Sequence, residues 1–166
     1  MKNFFQRALT AIAFVAVLLS CTYKHITFIP LFFVITLLGT WEFYTLSEKD
    51  GANKPQKVLG TITAGVMFLS NAIYCMWQVN MRILLFMLPF IFLIFIAELY
   101  RGKERPFQNI AFTILGVIYV AVPFSLLNYI LTSPGTYSPQ ILYGFFFILW
   151  ANDTGAYLTG SLIGKH

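Results

Sequence analysis

The chain has 166 residues, 58% of them hydrophobic and 10% charged, against roughly 45–50% and 25% in a soluble domain. These values exclude a water-soluble globular enzyme and point to an integral membrane protein. The net charge of +5 reports basic loops at an anionic lipid surface, with no nucleic-acid partner implied, and Cys21 and Cys75 lack the spacing of a zinc or redox motif.

Residues 1–7 are short and basic and residues 8–20 are an unbroken apolar run. Leu18-Leu19-Ser20-Cys21 looks like the lipid-attachment box of a bacterial lipoprotein. The residues after Cys21 read as more membrane helix and no secreted domain, which favours an uncleaved first span over 4–22. The second span covers 26–46 and ends in Trp41-Glu42-Phe43-Tyr44, where Glu42 reads as a buried carboxylate among aromatic anchors. Residues 47–57, with Gly51 and Pro55, form a polar loop. The third span, 58–77, is weakened in the middle by Ser70-Asn71. Asn80 and Arg82 bracket a tight turn into the fourth span, 83–99, which closes on Glu98.

A basic loop, YRGKERP, precedes the fifth span, 109–131, in which Pro123 predicts a kink because it removes one helix hydrogen bond. An uncharged loop with Pro134-Gly135 as its turn leads to the sixth span, 140–164. The predicted fold is therefore all-α, a polytopic transmembrane bundle of about six helices. Alternating spans put nine of the eleven Lys and Arg residues on one side, leaving only Lys24 and Arg82 on the other. By the positive-inside rule both ends of the chain face the cytoplasm, which fits a multi-pass protein of the inner, plasma membrane.

That topology sets Glu42, Glu98 and Asp153 on the order of 18–24 Å from the outer ends of their helices, in the cytoplasmic half of the bilayer. Glu42 and Glu98 lie near helix ends, within reach of water or a loop lysine. Asp153 has no such exit, and a lone carboxylate in an apolar run costs roughly 2.5–3.5 kcal/mol to insert, so it reads as facing a cavity, an ion or a partner. On a helix, Asp153, Tyr157, Gly160 and Gly164 fall at i, i+4, i+7 and i+11, on one face. The plainer reading of Gly160 and Gly164 is a GxxxG packing seam, with Asp153 paired to a neighbouring helix. The P-loop-like end at Lys165 is too short and follows no strand, the sequon at Asn152 sits in an apolar run, and His166 has no second metal ligand in view.

The stretch Asn152-Asp153-Thr154-Gly155-Ala156-Tyr157, with Gly160 and Gly164-Lys165-His166, resembles the phosphatidate cytidylyltransferases, or CDP-diacylglycerol synthases. Trp41-Glu42-Phe43-Tyr44 and ELYRGKERPFQNIAFTILG look like the same family. The resemblance implies Mg2+-dependent transfer of a cytidylyl group from CTP to phosphatidic acid, in a homodimeric protein with a cavity open to both bilayer and cytosol. It implies catalytic roles for Asp153, which would also hold the metal, and Tyr157, with substrate contacts at Asn152, Gly155, Gly160, Gly164 and Lys165. The plainer role for Lys165 is that of a positive-inside anchor. The family's longer signature lies beyond the Gly-Lys-His motif. Residues 1–139 are accordingly expected to be five N-terminal spans and residues 140–166 the start of a truncated catalytic region, inactive alone. A CTP-dependent polyprenol, dolichol or phytol kinase, a transporter subunit using Asp153 and Glu98 as an ion path, and a non-catalytic scaffold are the alternatives.

Overall fold

The computed structural model describes residues 2–49, 51, 53–132 and 136–163. Among them are six helices and no strand: α1 (Lys2–Thr22), α2 (His25–Ser47), α3 (Lys57–Trp77), α4 (Met81–Arg101), α5 (Pro106–Leu131) and α6 (Gln140–Ile163). α2 to α5 are each long and apolar enough to cross a membrane. The apolar part of α1, Leu9–Thr22, is shorter, and polar residues dilute the second half of α6. Asp50, Pro134-Gly135 and Gly164-Lys165-His166 lie outside the described residues.

The turns follow local chemistry. Asn80 accepts the Arg82 N–H at 2.9 Å and opens α4 as a 3-10 turn, Met81–Phe86. Gly102, at φ +57°, ends α4 in the left-handed conformation that glycine adopts most cheaply. Pro106 then starts α5, where its missing N–H is no loss. The expected break at Pro123 takes the form of a π turn at Val117–Ala121, in which the Val122 N–H reaches back to the Val117 carbonyl. Pro123 has no N–H for the Tyr119 carbonyl, and the wider turn absorbs that loss.

α3 is the central helix and packs on α2, α4 and both halves of α5. Leu18, Phe28, Phe32, Phe68, Leu131, Leu142 and Phe146 form the main apolar core, with Phe28 and Phe32 stacked at 4.3 Å. Lipid is as apolar as these side chains, so close packing and hydrogen bonds hold the bundle together more than transfer from water does. Ser70-Asn71 does not weaken α3. Ser70 is buried, and the Asn71 amide donates to the Met67 carbonyl and accepts from the Tyr129 hydroxyl on α5, both at 2.8 Å.

α6 docks by its first half alone. Leu142 and Phe146 enter the core, and Trp150 packs against it. The Tyr143 hydroxyl donates to the Leu19 carbonyl at 2.9 Å and Tyr137 donates to that of Thr22, satisfying carbonyls left open at the end of α1. Burial pushes the Tyr137 phenol up, which keeps it a donor.

Candidate functional site

Two polar constellations stand apart in this bundle, and they differ in how fully their groups are engaged. The first lies where α2, α3, α4 and α5 meet the loops 48–56 and 102–105. Glu98 is 3% exposed. Its carboxylate accepts from Asn109 Nδ2 at 2.7 Å, Gln56 Nε2 at 2.8 Å and Arg101 Nη1 at 2.6 Å. Arg101 Nη1 also donates to the Lys54 carbonyl at 2.9 Å, and Asn109 Oδ1 accepts the Lys54 N–H at 2.8 Å. The Gln56 N–H reaches Thr113 Oγ1 at 2.9 Å, and the Thr113 carbonyl accepts the Tyr44 hydroxyl at 2.6 Å. Fully satisfied networks of this kind fix one arrangement of the elements they join.

Tyr44 locks the same junction by shape. Its ring is fully buried and lies in the space that side chains at Gly60 on α3 and Gly116 on α5 would occupy. A Cβ at Gly60 would stand 2.6 Å from the ring Cζ, and one at Gly116 2.7 Å from it. Two glycines thus let an aromatic side chain pass between helices.

These findings correct two expectations. Glu98 reaches neither water nor a loop lysine: its cation is Arg101, one turn along its own helix. With its oxygens held by three donors it does not line an open ion path. Glu42 is exposed on the outside of α2, because the helix turns its neighbour Tyr44 inward. Lys57 also lies at this end, paired with Glu48 at 2.6 Å and placed over the Trp41 ring at 5.9 Å.

The second constellation is the latter half of α6. Asn152, Asp153, Tyr157 and Gly160 are exposed and Gly155 is half-buried. Tyr157 is 75% exposed, and a Cβ at Gly155 or Gly160 would meet nothing within 4 Å. Asp153, Tyr157 and Gly160 share the face expected of their spacing. Residues 151–161 are exposed around almost the whole circumference, so packing does not single that face out. Thr159 and Ser161 turn their hydroxyls back to the Gly155 and Leu158 carbonyls at 2.9 and 3.0 Å. Asn152 and Asp153 make no such bond among the described residues. Gly164 and Lys165 are outside those residues.

Mg2+ is often held by only one or two carboxylates, with water and substrate phosphate completing its shell. Asp153 fits that requirement as an exposed carboxylate. Among the described residues no group of three His, Cys, Asp or Glu side chains converges on a metal position, and Asp153 is the one acidic side chain on the described latter half of α6.

Sequence reasoning passed over Gln56, Arg101, Asn109 and Thr113. The available signals were the i, i+3 spacing of Glu98 and Arg101, and the Gly102 and Pro106 turn that folds α5 back against α4. Both fall in the ELYRGKERPFQNIAFTILG stretch.

The sequence matches the cytidylyltransferase family over residues 5–166. Over 66 residues it is 42% identical to a phosphatidate cytidylyltransferase of Staphylococcus aureus strain COL and 41% identical to one of Staphylococcus haemolyticus. The matched stretch covers 39% of this chain and 24% of the length of each relative. No solved structure matches. With the family match running through all six helices, the two constellations included, the chain belongs to the cytidylyltransferase family.

Proposed function

We propose that the chain serves in the transfer of a cytidylyl group from CTP to phosphatidic acid, giving CDP-diacylglycerol and pyrophosphate. The observation that carries this reading is the family match over residues 5–166, together with relatives named phosphatidate cytidylyltransferase. The geometry supports it through a helix that docks firmly by one half and presents a carboxylate, a carboxamide and a phenol on the other.

In this reaction a phosphate oxygen of phosphatidic acid bonds to the α-phosphorus of CTP. The bond from that phosphorus to the oxygen bridging to the β-phosphate breaks, and its electron pair leaves with pyrophosphate. Such transfers need positioning and charge neutralisation more than covalent help. Asp153 would hold the cation, and Tyr157 would orient a phosphate oxygen through its O–H. The Asn152 amide adds a donor, and Gly155, Gly160 and Gly164 let phosphates approach the backbone. Lys165 meets a phosphate as a point charge. Bound Mg2+ supplies neutralisation of charge on the phosphate oxygens. Residues 1–139 act as the platform, and residues 140–166 carry catalytic groups. The assembly is a homodimer in the plasma membrane with both chain ends cytoplasmic, an orientation that the nine-to-two distribution of cations supports.

The test supplies the native protein with labelled CTP, Mg2+ and either phosphatidic acid or a polyprenol. Label in CDP-diacylglycerol, with none transferred to the alcohol, is the expected result. Phosphorylation of the alcohol overturns the assignment in favour of a lipid kinase, and absence of both products overturns it outright.

A further inference from the structure

Beside the Glu98 network a hollow of about 410 Å3 opens on the outside of the α3–α4 seam, lined by Pro55, Lys57, Val58, Leu59, Ala97 and Arg101 among others. It is a shallow groove, open along one side. Its wall is part cationic and part aliphatic, and it lies where the helices give way to the loops. We infer that this hollow binds the phosphate of an anionic glycerophospholipid, with Arg101 and Lys57 as its cations and Val58, Leu59 and Ala97 against the glycerol and the first methylenes. The inference stands independently of the proposed cytidylyl transfer.

Arg101 carries the argument furthest. A guanidinium has five N–H donors in a rigid fork. Two of the hydrogen bonds it makes, both from Nη1, go to Glu98 and the Lys54 carbonyl, and the Nε and Nη2 donors have no partner among the described residues. The side chain is held in place by a buried carboxylate yet keeps 27% of its surface exposed. A fork already immobilised loses little entropy on meeting a phosphate. Lys57 is 23% exposed and keeps donors beyond the one given to Glu48. With Glu98 counted, this end carries six cations, Lys49, Lys54, Lys57, Arg101, Lys103 and Arg105, against four carboxylates, Glu48, Asp50, Glu98 and Glu104, a net positive charge that favours an anion. A soluble anion gains nothing from the aliphatic half of the wall, whereas a lipid fills both halves. Leu93 on α4 and Ile62 on α3, one turn from Ala97 and Val58, are exposed and extend the apolar wall toward the acyl chains.

The test uses purified, delipidated protein in detergent, titrated with phosphatidylglycerol, phosphatidylcholine or inorganic phosphate. Bound lipid is counted by native mass spectrometry. Phosphatidylglycerol is expected to give one saturable adduct at least about fivefold tighter than phosphatidylcholine, the effect of roughly one interfacial cation. Inorganic phosphate should leave that adduct in place. K57Q should weaken it by about fivefold, and A97F, which fills the hollow lined by Ala97, should remove it while the protein stays folded. Equal retention of both lipids, displacement by inorganic phosphate, or an adduct unchanged in folded A97F each overturns the inference.

Discussion

The two carboxylates that the bundle places most differently are Glu98 and Asp153. Glu98 is buried, with both oxygens bound to groups from α4, α5 and the loop before α3. Asp153 sits on a half-helix exposed on nearly every side, with no bond to any described residue. A buried ionised group is tolerated when its neighbours satisfy it, and it then belongs to the architecture. An exposed one beside an apolar bundle keeps its coordinating capacity. Chemistry is therefore expected at Asp153 and stability at Glu98, although both read from sequence as intramembrane acids.

The sharpest way to break this contrast is Glu98→Ala. It strips Arg101, Asn109 and Gln56 of their shared acceptor, and removing one partner of a buried pair typically costs about 3–5 kcal/mol. A large fall in folded yield and melting temperature in detergent is expected. Normal melting behaviour contradicts the architectural role.

Gly116→Ala comes next. Its new methyl meets the buried Tyr44 ring, and overpacking of this kind costs about 1–3 kcal/mol. Thermal unfolding of the single variant, and of its combination with Tyr44→Ala, checks the mechanism: the second change should remove the clash term, so the two effects should not add. Tyr44→Phe alone keeps the ring and loses the bond to the Thr113 carbonyl, a loss of about 1 kcal/mol. Simple additivity of the first pair would show that Gly116 does not serve the ring.

The smallest effect belongs to Glu42→Gln. Glu42 is exposed on the surface of α2, and substitutions away from networks move stability little. Its melting temperature and its CTP-dependent turnover should both stay near wild type. A fall in turnover at this position would move the catalytic surface onto α2.

The helices were largely legible in the sequence because twenty-residue apolar runs, Gly102, Pro106 and Asn80 mark them by length and turn chemistry alone. The share of charged residues settled the membrane class for the same reason. The Glu98 network was not legible, because it joins residues up to 69 positions apart and depends on the angle at which α5 returns along α4. Tyr44 was visible as an aromatic beside Glu42, yet its slot needs Gly60 and Gly116 together, from two other helices. Glu42 itself was misplaced because the hydropathy of a span does not say which side of a helix faces inward. The Asp153 motif was legible as a pattern, and the exposure of the whole half-helix around it was not.

The central claim is that Asp153 acts chemically and Glu98 architecturally, and turnover per folded molecule separates the two. In the native protein, Asp153→Asn keeps the shape of the side chain and removes its charge. CTP-dependent formation of CDP-diacylglycerol should fall by roughly a hundredfold or more across a Mg2+ titration, with a melting temperature within about 2 °C of wild type. Near-normal turnover per folded molecule, or a melting temperature that drops as far as that of Glu98→Ala, would contradict the account and make Asp153 one more packing residue.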